Sequence, residues 1–122
     1  MRELVERAYD AVNANDHETV RTLCVPDAVL RTTVETHHGV DGVLEWLDAV
    51  HETFEGYTVE VLDVEEIDGR LVVSIHQRGR GGASGLDVDH RTTHVWTLQD
   101  GLIREIKAFP RREEALEYVT GA

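Results

Sequence analysis

Lysine is almost missing from this chain: Lys107 is the exception among twelve basic residues, the rest being arginine, against 24 acids and a net charge of −12. That balance argues against nucleic acid and anionic membrane as partners, because both are polyanions. The acids are scattered rather than collected in a tail, so they read as a solvated surface. Cysteine is scarce too. Cys24 stands alone, which rules out an internal disulfide and leads us to expect a cytoplasmic protein. It sits in the apolar stretch Val20-Leu23-Cys24, where a buried structural thiol fits better than a nucleophile. No apolar run approaches the roughly 18 residues of a membrane span, and Arg2-Glu3 directly after Met1 is read as the absence of a secretory signal. No Ser/His/Asp order, Cys/His pair or glycine-framed serine is present, so nucleophilic hydrolysis lacks support.

What is there is a chain of 122 residues with 41% hydrophobic residues, enough for one domain over residues 1–122 with a core of its own. Residues 3–14 carry Leu4, Val5, Ala8, Ala11 and Val12 at helical spacing. Asp16 can cap a second helix from His17 to Cys24, and Pro26 ends it. A short strand follows at Ala28–Val34, then a third helix over Val43–Phe54 with an apolar stripe. Four further strands are expected at Tyr57–Ile67, Leu71–Arg78, Val88–Leu98 and Leu102–Phe109, and a closing helix at Arg111–Val119. Helices followed by an antiparallel meander point to an α+β fold. The run Gly79-Arg80-Gly81-Gly82-Ala83-Ser84-Gly85 is not a phosphate cradle, because a strand rather than a helix follows it; a wide hairpin turn is expected.

The connection Gln99-Asp100-Gly101 suits a three-residue hairpin with a left-handed glycine. It sets Leu98 opposite Leu102, Trp96 opposite Arg104 and His94 opposite Ile106. One face then carries Thr92, His94, Trp96, Leu98, Leu102, Arg104, Ile106 and Ala108, the more apolar set, which should face the helices. His94 and Arg104 interrupt it. A buried imidazole or guanidinium must be paired or must line a cavity, and the sequence leaves both readings open. His90 and His94, four apart on a strand, are about 13 Å from each other, too far to share a metal ion. His37 and His38 are adjacent and point apart, so no metal site is expected. His76 shares the inner face or is an exposed strand histidine, depending on the register across the glycine run. His17 and His51, on polar helix faces, are expected in solvent. Trp46 lies beside the apolar stripe of the third helix, and Tyr9 can point a hydroxyl into a cavity.

Several stretches carry a family resemblance: Ala14-Asn15-Asp16, Val25-Pro26-Asp27-Ala28-Val29, Gly39-Val40-Asp41-Gly42-Val43 with Trp46, His94 through Ile103, and Arg112-Glu113-Glu114-Ala115-Leu116. Together they resemble the SnoaL-like branch of the nuclear transport factor 2-like superfamily, which includes polyketide cyclases and ketosteroid isomerases. The resemblance implies a cone-shaped curved sheet, three N-terminal helices enclosing a pocket, and a homodimer packed through the sheet's outer face. It places the isomerases' acidic base at or near Thr32, their acidic donor at His94 and their tyrosine near Ala8, one residue from Tyr9. Threonine cannot replace a carboxylate base, which argues against isomerisation by that route. The expected activity is proton transfer, without metal or cofactor, on a small apolar oxygen-bearing molecule. His94 would be the acid/base, Arg104 would hold an anionic oxygen, and Trp96, Trp46, Thr32, Ile106 and Tyr9 would line the pocket. The alternative is a non-catalytic homodimeric binding or accessory module.

Overall fold

Period and capping place the elements of the computed structural model, which describes residues 1–82 and 85–121. Helix α1 (Arg2–Ala14) buries Val5, Ala8, Tyr9 and Ala11 and stops at Asn15, which is left-handed at φ 51°. Helix α2 (His17–Leu23) starts as expected at Asp16, whose carboxylate accepts from the Thr19 amide at 3.2 Å and the Thr19 hydroxyl at 2.7 Å. Then come β1 (Cys24–Arg31), β2 (Thr36–His38), α3 (Gly39–Thr53), β3 (Phe54–Ile67), β4 (Arg70–Gly81), β5 (Val88–Gln99), β6 (Leu102–Phe109) and α4 (Arg112–Thr120). Two helices therefore precede the first strand, and the third follows β2.

The α+β expectation holds, with two differences in the sheet. Its order is β2-β1-β6-β5-β4-β3, so it has six strands rather than five. It is also mixed, because β1 runs parallel to β6. Pro26 falls in β1 between Cys24, opposite Ile103, and Val29, opposite Glu105, where the ladder shifts and a missing N–H does least harm. Strands β3, β4, β5 and β6 form the expected antiparallel meander. The sheet curls without closing. Helices α1 and α3 pack on its inner face, while α4 covers part of the outer one, over Val72 and Val95. The inner core holds Val5, Leu71, Val73, Ile75 and Trp96; a smaller cluster of Ala11, Val20, Leu44 and Leu47 joins the helices. Gly79 lets β3 and β4 approach closely on the inner face, since a Cβ there would lie 3.0 Å from that of Phe54. The run it opens leads from β4 to β5, as a hairpin connection should; Ala83 and Ser84 lie outside the described residues.

The β5–β6 register departs from expectation throughout: none of the three expected pairs forms, and the turn has two residues rather than three. Asp100 and Gly101 both have positive φ, 52° and 80°, and make a two-residue turn that pairs Gln99 with Leu102. Leu98 then faces Ile103, Thr97 faces Glu105, and Arg104 is left over as a bulge. Beyond the bulge Trp96 faces Ile106 and His94 faces Ala108. His94, Trp96, Ile106 and Ala108 therefore share the inner face as expected. Ile103 turns inward in place of Arg104, and Leu102 turns out.

Candidate functional site

Between the inner face and the helices lies a cavity of about 70 Å³, lined among others by Tyr9, Trp46, Tyr57, Gln77, His94 and Ile106. A vestibule of about 330 Å³ adjoins it, with Thr32, Val34 and Glu35 of the β1–β2 turn, Phe54, Val88 and Thr92 on its walls. Leu30, Trp46, Tyr57, Gln77 and His94 line both spaces, so His94 borders each of them. None of the described residues lining the inner cavity carries a carboxylate, an ammonium or a guanidinium group.

His94 is held on strand β5 by pairing with β4 and β6. Its Nδ1 lies 2.7 Å from the Tyr9 hydroxyl. Nε2 makes no hydrogen bond among the described residues and is left to the cavity. Burial, with no neighbouring charge to offset it, pushes the imidazole down to about 4, so it is neutral at physiological pH. The same burial pushes the Tyr9 hydroxyl far up. The Tyr9 ring packs on the wholly buried Trp96 with centroids 5.6 Å apart. Tyr9 reaches this place because Asn13, one turn further along α1, clamps the free edge of β3. Its amide donates to the Val59 carbonyl at 3.0 Å and accepts from the Val59 N–H at 2.7 Å, as a neighbouring strand would.

A second polar chain crosses the cavity. Gln77 donates from Nε2 to the Tyr57 oxygen at 2.9 Å, and Thr92 donates to Gln77 Oε1 at 3.5 Å. Burial raises the Tyr57 hydroxyl as well. The His51 ring meets Tyr57 edge-on at 5.8 Å while donating to the Val12 carbonyl at 2.7 Å.

His94, Tyr9, Trp46 and Ile106 thus converge on one space, whereas three other expected residues do not reach the inner cavity. Arg104 is the clearest correction. The bulge turns it outward, where it is half exposed and donates to Gln99 Oε1 at 2.7 Å. Trp96 lies in the core behind Tyr9. Thr32 lies just past the end of β1, in the vestibule wall, with its hydroxyl tied to the backbone of Val34 and Glu35. Cys24 begins β1 instead of ending a helix, and burial pushes its thiol up to about 11, leaving it protonated against the cavity.

Three other histidines, His76, His17 and His51, differ from expectation. His76 alternates to the outer face, yet it is buried, its Nε2 bound to Asp89 at 2.5 Å and its Nδ1 3.2 Å from Arg78. His17 is half-buried against Asp48 at 2.7 Å. His51, too, is half-buried. His37 and His38 form β2, and His37 packs near Trp46 with centroids 6.4 Å apart. Sequence reasoning missed Tyr57 and Gln77 as cavity residues. Their link spans twenty positions and depends on the β3–β4 pairing, which slips twice. The single cue was a glutamine at an inward position of an apolar strand.

Among the described residues no helix is long and apolar enough to cross a membrane. The SnoaL-like domain pattern matches residues 5–106. A putative polyketide cyclase from Sinorhizobium meliloti is similar in structure, with 25% identity, a TM-score of 0.76, and coverage of 88% of this chain and 94% of that one. A putative SnoaL-like polyketide cyclase from Jannaschia sp. CCS1 has 20% identity and a TM-score of 0.77, covering 98% and 91% of the two chains. TerC, co-crystallised with polyporic acid, has 19% identity and a TM-score of 0.76, covering 98% and 97%. No protein of curated function matches. The match over residues 5–106 spans most of the chain, which belongs to the SnoaL-like domain family.

Proposed function

We propose that the domain takes a small apolar, oxygen-bearing molecule into the vestibule, with its oxygen against His94, and that His94 exchanges a proton with it. The observation that carries the reading is the state of His94: a neutral, buried imidazole bordering both cavity and vestibule, with Nδ1 held by Tyr9 and Nε2 unclaimed among the described residues. A neutral imidazole in apolar surroundings can donate to, or accept from, an oxygen placed against it. Trp46 and Ile106 supply flat and aliphatic walls. The polyketide cyclases and the polyporic acid complex among similar structures support oxygenated rings as the first compounds to try. No described residue lining the inner cavity carries a carboxylate, and Glu35 is the one carboxylate among those lining the vestibule. The same reading takes the protein as a cytoplasmic homodimer joined through the outer sheet face, where Arg78, Asp89 and Arg91 remain exposed beyond α4; sedimentation equilibrium tests the dimer.

The test is a melting-temperature screen with aromatic ketones and hydroxyquinones against the wild type and His94→Gln. Binding by the wild type, with turnover abolished in a variant that still folds, is the expected result. No stabilisation by any compound would sink the reading. A second reading, a binding module without chemistry, is favoured by the low basicity of His94. It predicts that compounds bind both proteins unchanged.

A further inference from the structure

A neutral imidazole carries a single N–H proton, on Nδ1 or on Nε2, and the choice decides what the ring offers a ligand. Here the surroundings make that choice. The Tyr9 hydroxyl is buried, and its one hydrogen-bond partner among the described residues is His94 Nδ1, at 2.7 Å. A buried O–H left without an acceptor is costly, so the phenol must donate to this nitrogen. The other polar neighbour of the Tyr9 oxygen is the indole N–H of Trp96, which can only donate and has no acceptor of its own in good geometry. A donor on that side gives the phenol proton nowhere else to go.

We propose that Tyr9 is a positioning residue that locks His94 as the Nε2–H tautomer, so that the nitrogen facing the cavity is a hydrogen-bond donor and the site selects its ligand by an acceptor oxygen. The ligand half of this proposal rests on the binding reading above; the tautomer half concerns the free protein alone.

Tyr57 gives the same polarity from another wall. Its oxygen accepts from Gln77 Nε2, and the Gln77 carbonyl is taken by Thr92. The Tyr57 proton is thereby left for the cavity. Two donors, with no carboxylate among the described residues of the inner cavity, suit a carbonyl or an oxyanion there and give an ammonium group placed against them no counter-charge. His94 is then built to donate toward a substrate oxygen. To serve as a base at Nε2, the ring would have to give up the tautomer that Tyr9 enforces.

Long-range proton–nitrogen NMR of the imidazole rings tests the tautomer. In the wild type Nε2 should carry the proton and Nδ1 should be bare. Tyr9→Phe should move the ratio toward Nδ1–H by roughly fivefold, the bias of one net hydrogen bond. A protonated Nδ1 in the wild type overturns the proposal, and so does a ratio unchanged in Tyr9→Phe. Should that variant fail to fold, the wild-type spectrum decides alone. For the ligand half the probes are 1-tetralone and 1-aminotetralin, of matched shape. The ketone should shift the Nε2–H resonance and the amine should not. An equal response to the amine overturns donor selection. If neither probe binds, the binding reading and the ligand half fall together, while the tautomer lock is still judged on the free protein's spectrum.

Discussion

The Tyr9 hydroxyl and His94 Nδ1 lie 2.7 Å apart although 85 positions separate them in the chain. The contact ties the first helix to the penultimate strand and settles two buried polar groups at once. Replacing Tyr9 with Phe removes the donor and leaves Nδ1 bare among apolar groups. We expect a loss of about 1–3 kcal/mol in urea unfolding, with the slope unchanged.

His94 makes stability depend on pH in a definite direction. Its pKa falls from 6.5 in the unfolded chain to about 4 in the folded protein. Between those values the unfolded chain takes up a proton that the folded protein refuses. The full contribution is present above about pH 6.5 and is lost as pH falls toward 4, by on the order of 3 kcal/mol. Urea midpoints measured from pH 7 to pH 4 should show this fall in the wild type and a shallower one in His94→Gln.

Arg104 separates the register seen here from the one its neighbours suggest. With the side chain outside, bonded to Gln99, Arg104→Ala should change stability by no more than about 0.5 kcal/mol. It should also leave ligand-induced shifts in melting temperature untouched. A variant that folds but no longer binds would return this residue to the cavity.

Asn13 holds the free edge of β3 through both polar atoms of its amide. Asn13→Ala should cost about 1–3 kcal/mol, because the Val59 N–H and carbonyl lose a buried partner. Hydrogen exchange at the Val59 amide should accelerate more than at residues of β5.

Much of this arrangement was legible because strand alternation is a strict rule. Once β5 was recognised, His94 and Trp96 had to share a face; Ile106 and Ala108 join them because the bulge at Arg104 offsets a turn one residue shorter than expected. Arg104 escaped because one extra residue in β6 reverses the parity behind it. The cue was present: Ile103 and Ile106 stand three apart, a spacing that alternation cannot bury on one face without a bulge. Strand β2 was missed because three residues, two of them histidine, show no period. Burial of His76 and His17 depends on Asp89 and Asp48, partners contributed by other elements, and no local pattern announces such pairs.

The parallel pairing of β1 with β6 sets an order of events. The meander from β3 to β6 can zip up through neighbours joined by short turns, but β1 has no partner besides the three residues of β2 until the last strand exists. Ala28, Val29 and Leu30, which wall one side of the cavity, therefore take their places only when the beginning of the chain meets its end. On the ribosome the space would be enclosed among the last steps, after β6 has emerged. A chain cut before Leu102 would lack the strand beside which β1 lies, and with it the support for that wall of the chamber.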